Sequence, residues 1–146
     1  MNGRFIVSVI VICAALAGAA MFYLQIYGFY EDVSDTDNRV VLTSVVTGTP
    51  QEISVSSLNA IDADSSPIRY RACFQTDQSI GMFTETFKVH PDAEPRVAPG
   101  WFDCFSAEQI GKDLAAGNAV AFWGQRNIEY GIDRIVAIYA DGRGYV

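Results

Sequence analysis

The chain has 146 residues, of which 50% are hydrophobic, and its formal net charge at pH 7 is −7. All 17 acidic residues and nine of the ten basic residues follow Tyr30, so no basic surface is available to bind nucleic-acid phosphates. Residues 5–30 contain no Asp, Glu, Lys or Arg, which argues against a cytosolic globule and leaves enough chain after them for one domain.

The apolar stretch Phe5–Tyr30 predicts a transmembrane helix. At 1.5 Å per residue it is about 39 Å long, whereas the hydrocarbon core of a bilayer, about 30 Å thick, needs only ~20 residues. Tyrosines gather near its C-terminal end, as is typical of the headgroup region. Because Arg4 precedes the stretch and acidic residues follow it, we expect residues 1–4 to be cytoplasmic, the helix to cross the inner membrane, and the rest to be periplasmic.

A cleaved signal peptide is the alternative interpretation of this stretch. Ala17-Gly18-Ala19 has the small-x-small form of a cleavage site. The apolar character continues through Met21–Leu24, however, which favours an uncleaved anchor. A lipidation site at Cys13 is disfavoured because the bulky Ile12 precedes it.

Small residues occupy the middle of the predicted helix. Ala14 and Gly18 are four residues apart and therefore share one face, where they would let a second helix approach closely. The sharper hypothesis is contact with a partner inner-membrane protein or with another copy of the chain. The plainer one is that alanine is simply tolerated in the bilayer.

Residues 31–38 predict an acidic linker and residues 39–146 an extracytoplasmic α+β domain. In Ile68–Gln75, apolar residues alternate with Arg69, Arg71, Cys73 and Gln75, the pattern of a strand with one buried face. β-branched or apolar runs predict further strands, at Val40–Thr47, Phe83–Val89, Asn118–Gly124, Ile132–Tyr139 and Arg143–Val146. The run Ile53–Leu58 is ambiguous.

One soluble helix is predicted over Ser106–Ala116. Ser106 is a favoured N-cap, Gln109 completes a capping box three residues later, and Gly117 suits the left-handed residue after the last turn. Three prolines make His90–Gly100 irregular, and Ala140-Asp141-Gly142 predicts a hairpin turn. The sum is a small, mostly antiparallel sheet with one packed helix.

Cys73 and Cys104 are the only cysteines after the apolar stretch. In an oxidising compartment they are expected to form a disulfide, and closing a loop of roughly 30 residues is worth about 3–4 kcal/mol. A redox-active pair is the alternative, which the lack of a Cys-x-x-Cys motif disfavours.

The residues show no catalytic or metal-binding constellation. His90 is the sole histidine; without a nucleophile motif it is expected to be an exposed bystander. Asp62 and Asp64 lack the central glycine and final glutamate of a calcium loop. We therefore expect no metal, no cofactor and no enzymatic activity.

The candidate ligand or partner surface comprises Arg69, Arg71, Trp101 and Asp103. Arg69 and Arg71 share a strand face with Cys73 and carry the charge needed to bind an anion, with Trp101 beside them as a pocket wall. Ion pairing with Asp103 or Glu108 is the plainer expectation for both arginines.

The segments Ile61–Phe74, Ala98–Phe105 and Gly131–Ile138 resemble a family of short, single-pass membrane proteins of unknown function from alphaproteobacteria. The resemblance covers nearly the whole chain and implies relatives that extend beyond Val146, but it supplies no activity or catalytic residues. Some members carry a histidine-kinase label, which this sequence contradicts, because it is too short for an ATP-binding domain with a dimerisation helix pair.

Three functions follow in order of expectation. The first is a non-enzymatic accessory, assembly or interaction protein of an inner-membrane complex, contacting partners through its transmembrane helix and its outer domain. The second is a periplasmic small-ligand-binding or sensor domain. The third is a thiol-redox protein that uses Cys73 and Cys104.

Overall fold

The computed structural model describes residues 2–34 and 39–146. The chain divides into two compact units, one ending at Tyr30 and the other beginning at Glu31. The predicted linker residues 35–38 lie outside the described residues, but Glu31–Asp32 already belong to a strand (β1) of the second unit. The side chain of Ser34 accepts a hydrogen bond from the backbone N–H of Ala60 (2.9 Å), so this unit begins earlier than the linker prediction implies.

The first unit is a single apolar helix. The α-helix α1 runs over Gly3–Tyr23 and continues as a π-helical turn over Leu24–Gly28. These 26 residues contain an 18-residue window with a mean hydropathy of 2.7, and the helix is long and apolar enough to span a membrane. The rings of Tyr23 and Tyr27 stack near its C-terminal end, with centroids 5.9 Å apart.

The second unit is built on a six-stranded antiparallel sheet in the order β1-β4-β5-β8-β7-β6. The predicted α+β class is therefore confirmed. The strands after β1 are β4 Ser56–Asp62, β5 Arg71–Gln75, β6 Ala119–Trp123, β7 Ile135–Tyr139 and β8 Arg143–Tyr145. A smaller sheet pairs β2 Val41–Thr43 with β3 Pro50–Glu52.

One face of the large sheet carries the hydrophobic core, and we call it the core face. Phe122 and Ile138 project from neighbouring strands and are fully buried, as are Leu42 of the small sheet and Phe83 of helix α2. The helix α2 (Ile80–Thr86) and the small sheet thus cover this face. The rings of Phe83 and Phe122 lie 6.0 Å apart.

Helix α2 replaces the strand predicted over Phe83–Val89. The Ser79 hydroxyl accepts a hydrogen bond from the backbone N–H of Met82 and caps the helix, a signal hidden by the β-branched and aromatic residues that follow. The strand character survives only at the end of the range, where Phe87 and Val89 form single bridges to Ser44 and Phe122.

The opposite face of the large sheet, which we call the groove face, is covered differently. Helix α3 (Ala107–Ala116) covers part of it and has the predicted ends, because Ser106 accepts from the Gln109 N–H and Gly117 adopts φ 76°. The capping box is only half formed, since the Gln109 side chain donates to Asp113 (3.1 Å) instead. The irregular residues 90–105, the cover segment, lie over the rest.

Candidate functional site

A groove lies between the groove face of the sheet and its cover. Its volume is about 520 Å³, within the ~300–1,000 Å³ of small-ligand sites. Ala121 and Ala137 are direct cross-strand partners on its floor, and Ala137 also opposes Tyr145 of β8. Because alanine side chains are short, the sheet leaves space where larger residues would fill it.

The walls of the groove are mostly apolar. Ile110 and Leu114 come from α3, and Pro95 and Phe105 come from the cover segment. Ile128 and Ile132 lie in the connection between β6 and β7, and Ile135 is the first residue of β7. The polar lining residues lie among them, at His90, Asp92, Glu94, Arg71, Asp133 and Arg134. This combination of an apolar cavity with a few charged groups is typical of a small-molecule site.

A disulfide joins the cover segment to the sheet, as predicted. Cys73 of β5 is buried, whereas Cys104 is exposed, and their Cα atoms lie 6.3 Å apart. The two cysteines are separated by 31 positions in the sequence. The bridge therefore holds the end of the cover segment beside the groove.

Arg71 fastens the same segment by hydrogen bonds. Its guanidinium donates to the carbonyl oxygens of Arg96 (3.0 Å) and Val97 (3.0 Å) in the cover segment. It also donates to the carbonyls of Ile68 (2.8 Å) and Tyr70 (2.6 Å) just before β5. Arg71 thus bridges the sheet and the cover, a role that the sequence did not predict.

Arg134 is the polar feature of the groove that sequence reasoning missed. Its guanidinium carbon lies 3.9 Å from the centroid of the Tyr70 ring, and its Nη2 lies 3.8 Å from the Asp62 carboxylate. The Nε atom is buried, and within the described part of the chain nothing accepts a hydrogen bond from it. Arg134 could have been identified from the sequence as a basic residue within the mostly apolar stretch Gly131–Ile138.

Burial raises the pKa of the Tyr70 phenol, an effect that the nearby Arg134 charge partly opposes. Tyr70 itself is almost fully buried. The ring therefore remains neutral at physiological pH and presents an apolar, electron-rich face to the guanidinium. This contact orients Arg134 from one side.

A polar contact ties α3 to the sheet outside the groove. The Tyr139 hydroxyl donates to Asp113 of α3 (2.8 Å). Hydrogen bonds from Gln109 and then from Tyr139 hold the pKa of Asp113 below its usual value. Burial, followed by the bond to Asp113, raises the pKa of Tyr139. The pair orients the helix that forms one wall of the groove.

His90 is not the exposed bystander that the sequence suggested. Its ring stacks on Trp123, with centroids 4.3 Å apart and planes 13° from parallel. Its backbone N–H donates to the carbonyl of Ala121 (2.8 Å). The cover segment therefore starts as an extension of the sheet along β6.

The remaining candidates lie apart from the groove. Arg69, Trp101 and Asp103 do not line it, although Trp101 packs edge-to-face on Phe102, with centroids 6.3 Å apart. Glu108, proposed as an arginine partner, pairs with Lys112 at 2.6 Å.

In the separate helical unit, Ala14 and Gly18 are exposed. A Cβ added to Gly18 would meet no atom within 4 Å. Across residues 2–34 and 39–146, no group of three or more His, Cys, Asp or Glu side chains is arranged to hold a metal ion.

Comparison with known proteins identifies a family without assigning an activity. No curated protein matches the chain. No solved structure matches it either. A family of unknown function, DUF6446, matches residues 40–146, which is the greater part of the chain. The match includes both cysteines and every residue that lines the groove. The chain belongs to this family.

Proposed function

We propose that the protein is a membrane-anchored periplasmic domain that acts by binding rather than by catalysis. The observation that carries this proposal is the Cys73–Cys104 disulfide in a domain that follows a membrane-length apolar helix. Structural disulfides persist in oxidising compartments and are rare in the cytosol. Arg4 at the start of the helix and the acidic residues after it favour the same orientation.

The first role is that of an accessory, assembly or interaction protein of an inner-membrane complex. The exposed Ala14–Gly18 face offers a place where another helix can approach the backbone closely. The domain presents a disulfide-fastened surface with no metal-binding cluster among the described residues. Both features suit contact with a partner better than they suit turnover of a substrate.

Orientation is tested by thiol labelling in intact cells. A membrane-impermeant maleimide applied with and without prior reduction reports Cys73 and Cys104, whereas Cys13 lies within the apolar helix. We expect labelling of the domain only after reduction, and from the outer side of the membrane. Labelling without reduction would contradict the disulfide, and labelling only after cell lysis would contradict the periplasmic location.

Partner contact is tested by crosslinking in membranes followed by mass spectrometry. We expect Gly18→Leu to weaken the dominant crosslink, because the larger side chain separates the helices. Ala20→Leu is the matched control, since it adds comparable bulk on the far side of the helix. Equal loss with both variants, or no loss with either, would remove the helix face from the proposal.

A ligand-binding or sensor role is the second candidate, and the groove favours it. Its volume, apolar walls and few charged lining residues are the features expected of a small-molecule site. The test is a thermal-shift screen of the full chain with small metabolites. A ligand that raises the melting temperature of the wild type but not of the groove-filling variant Ala137→Leu would support this role.

A further inference from the structure

We infer that the groove binds a small monocarboxylate with an apolar body, and that Arg134 binds the carboxylate. This inference rests on the ligand-binding role and specifies the chemistry of the ligand. Its basis is the placement of an incompletely satisfied guanidinium at the wall of an apolar, alanine-floored groove.

The donor capacity of Arg134 favours an anion. A guanidinium has five N–H donors in a fixed fork. The Nε of Arg134 is buried and has no acceptor in the described part of the chain, so the side chain, which is 28% exposed, offers its Nη groups to a ligand. Its contact with Asp62, at 3.8 Å, is longer than a charge-assisted hydrogen bond. Tyr70 occupies one face of the guanidinium plane, whereas the N–H groups point outward within that plane. A planar carboxylate matches this donor edge.

The other charges limit the ligand to one negative charge. Asp133 lines the groove, but its carboxylate accepts from the Asn127 N–H (2.7 Å). Asp92 and Glu94 also line it and are exposed. Repulsion from these three carboxylates scales with the charge of the ligand, so it disfavours a polyanion such as a phosphate ester more strongly than a monoanion held at Arg134.

The floor and walls define the rest of the ligand. Ala121 and Ala137 leave space above the strands, and Ile110 and Leu114 line that space with aliphatic surface. Apolar surface removed from water contributes about 25 cal/mol per Å². A branched aliphatic or phenyl group therefore suits this region, with the carboxylate directed toward Arg134.

The experiment uses the full chain in phosphatidylcholine nanodiscs, with empty nanodiscs as the blank. The probes are 4-methylpentanoate and phenylacetate, each paired with its neutral amide and measured by calorimetric titration at pH 7. We expect both acids to bind at least tenfold more tightly than their amides. Arg134→Gln should remove most of that preference. Arg143→Gln is the matched control, because it removes the same charge beside Tyr139 and Asp141, neither of which lines the groove.

The outcomes separate the ligand class from the groove itself. One outcome is that the acid and its amide bind equally, that Arg134→Gln does not change this binding, and that Ala137→Leu abolishes it. This outcome would overturn the carboxylate assignment and leave the ligand-binding role intact. Binding of no probe to a wild-type protein that unfolds cooperatively would overturn both. Folding of Arg134→Gln and Ala137→Leu is checked by their ligand-free melting temperatures. If Arg134→Gln does not fold, Arg134→Lys is measured in its place. Binding of the acids by Arg134→Lys as tightly as by the wild type would contradict recognition by the guanidinium fork.

Discussion

The two faces of the six-stranded sheet are stabilised in different ways. The core face is packed with large side chains, and Phe83, Phe122, Leu42 and Ile138 are fully buried there. The groove face has Ala121 and Ala137 on its strands, and its cover is held by a disulfide and by the carbonyl contacts of Arg71. Tight packing leaves no room for a ligand on the core face. On the groove face, the disulfide and the hydrogen bonds of Arg71 hold the cover in place, so a cavity can remain open beneath it.

The largest difference is expected between two isoleucines of the same strand. Ile138→Ala on the core face should lower the free energy of unfolding by about 3–4 kcal/mol, because it empties a fully buried site. Ile135 faces the partly open groove, so Ile135→Ala should lower the free energy of unfolding by only about 1 kcal/mol. Urea unfolding of the full chain in detergent micelles measures both values. Equal losses would show that the faces do not differ in this way.

Removing the disulfide tests the fastening of the groove face. The Cys73→Ser, Cys104→Ser double variant should lose about 3 kcal/mol, because the 31-position separation closes a long loop. Limited proteolysis should then cleave residues 90–105 before the core is cut. The Cys13→Ser variant is the control, since this free thiol lies in the apolar helix. Unchanged protease resistance would show that the bridge does not hold the cover.

Arg71→Met should loosen the cover with a smaller effect on global stability. The substitution removes donors to four backbone carbonyls and should cost about 1–2 kcal/mol. Amide hydrogen exchange should increase mainly in the cover segment. Arg39→Met is the control, because this exposed arginine pairs with Glu52 and neither residue lines the groove. Exchange that increases uniformly over the domain would contradict a local clamp.

The N-cap serines of α2 and α3 allow a comparison of the helices that cover the two faces. Ser79→Ala and Ser106→Ala each remove an N-cap hydrogen bond and should each cost about 1 kcal/mol. Ser106→Ala should also weaken ligand binding, because α3 forms a wall of the groove, whereas Ser79→Ala should not. Melting temperatures and the calorimetric titration test both parts. Weaker binding in Ser79→Ala would contradict the separation of the faces.

The smallest expected effect depends on pH. Because hydrogen bonds lower the pKa of Asp113 in the folded state, its bond to Tyr139 contributes stability above the usual carboxyl value near 3.8. That contribution is lost as the pH falls through the lowered pKa. Tyr139→Phe should therefore be slightly less stable than the wild type at pH 7, with a difference that shrinks below pH ~3.8. A difference that grew with acidification would have the wrong sign.

Local signals in the sequence predicted part of this structure. The helix over residues 107–116 follows from Ser106 and Gly117, whose capping geometry is local. The disulfide follows from the number of cysteines and the expected compartment. The class of the domain follows from alternating strands and a single strong helical pattern. Each of these inferences needs only neighbouring residues or a count.

The groove was not predictable in the same way, because it depends on strand order. Ala121 and Ala137 become partners only through the pairing of β6 with β7. Arg134 approaches Asp62 and Tyr70 from a distant part of the sequence. Helix α2 was mistaken for a strand because its packing against Phe122 outweighs the propensity of its residues. Tertiary contacts of this kind leave no periodic signal in the chain.

The central position of β8 has a consequence for the order of assembly. This strand pairs with β5 on one side and β7 on the other, yet it follows every other strand in the chain. The halves β1-β4-β5 and β7-β6 therefore cannot join through backbone hydrogen bonds until residues 143–145 have emerged from the ribosome. Cys73 and Cys104 both precede β8 in the chain, so the bond between them can form before the sheet is complete.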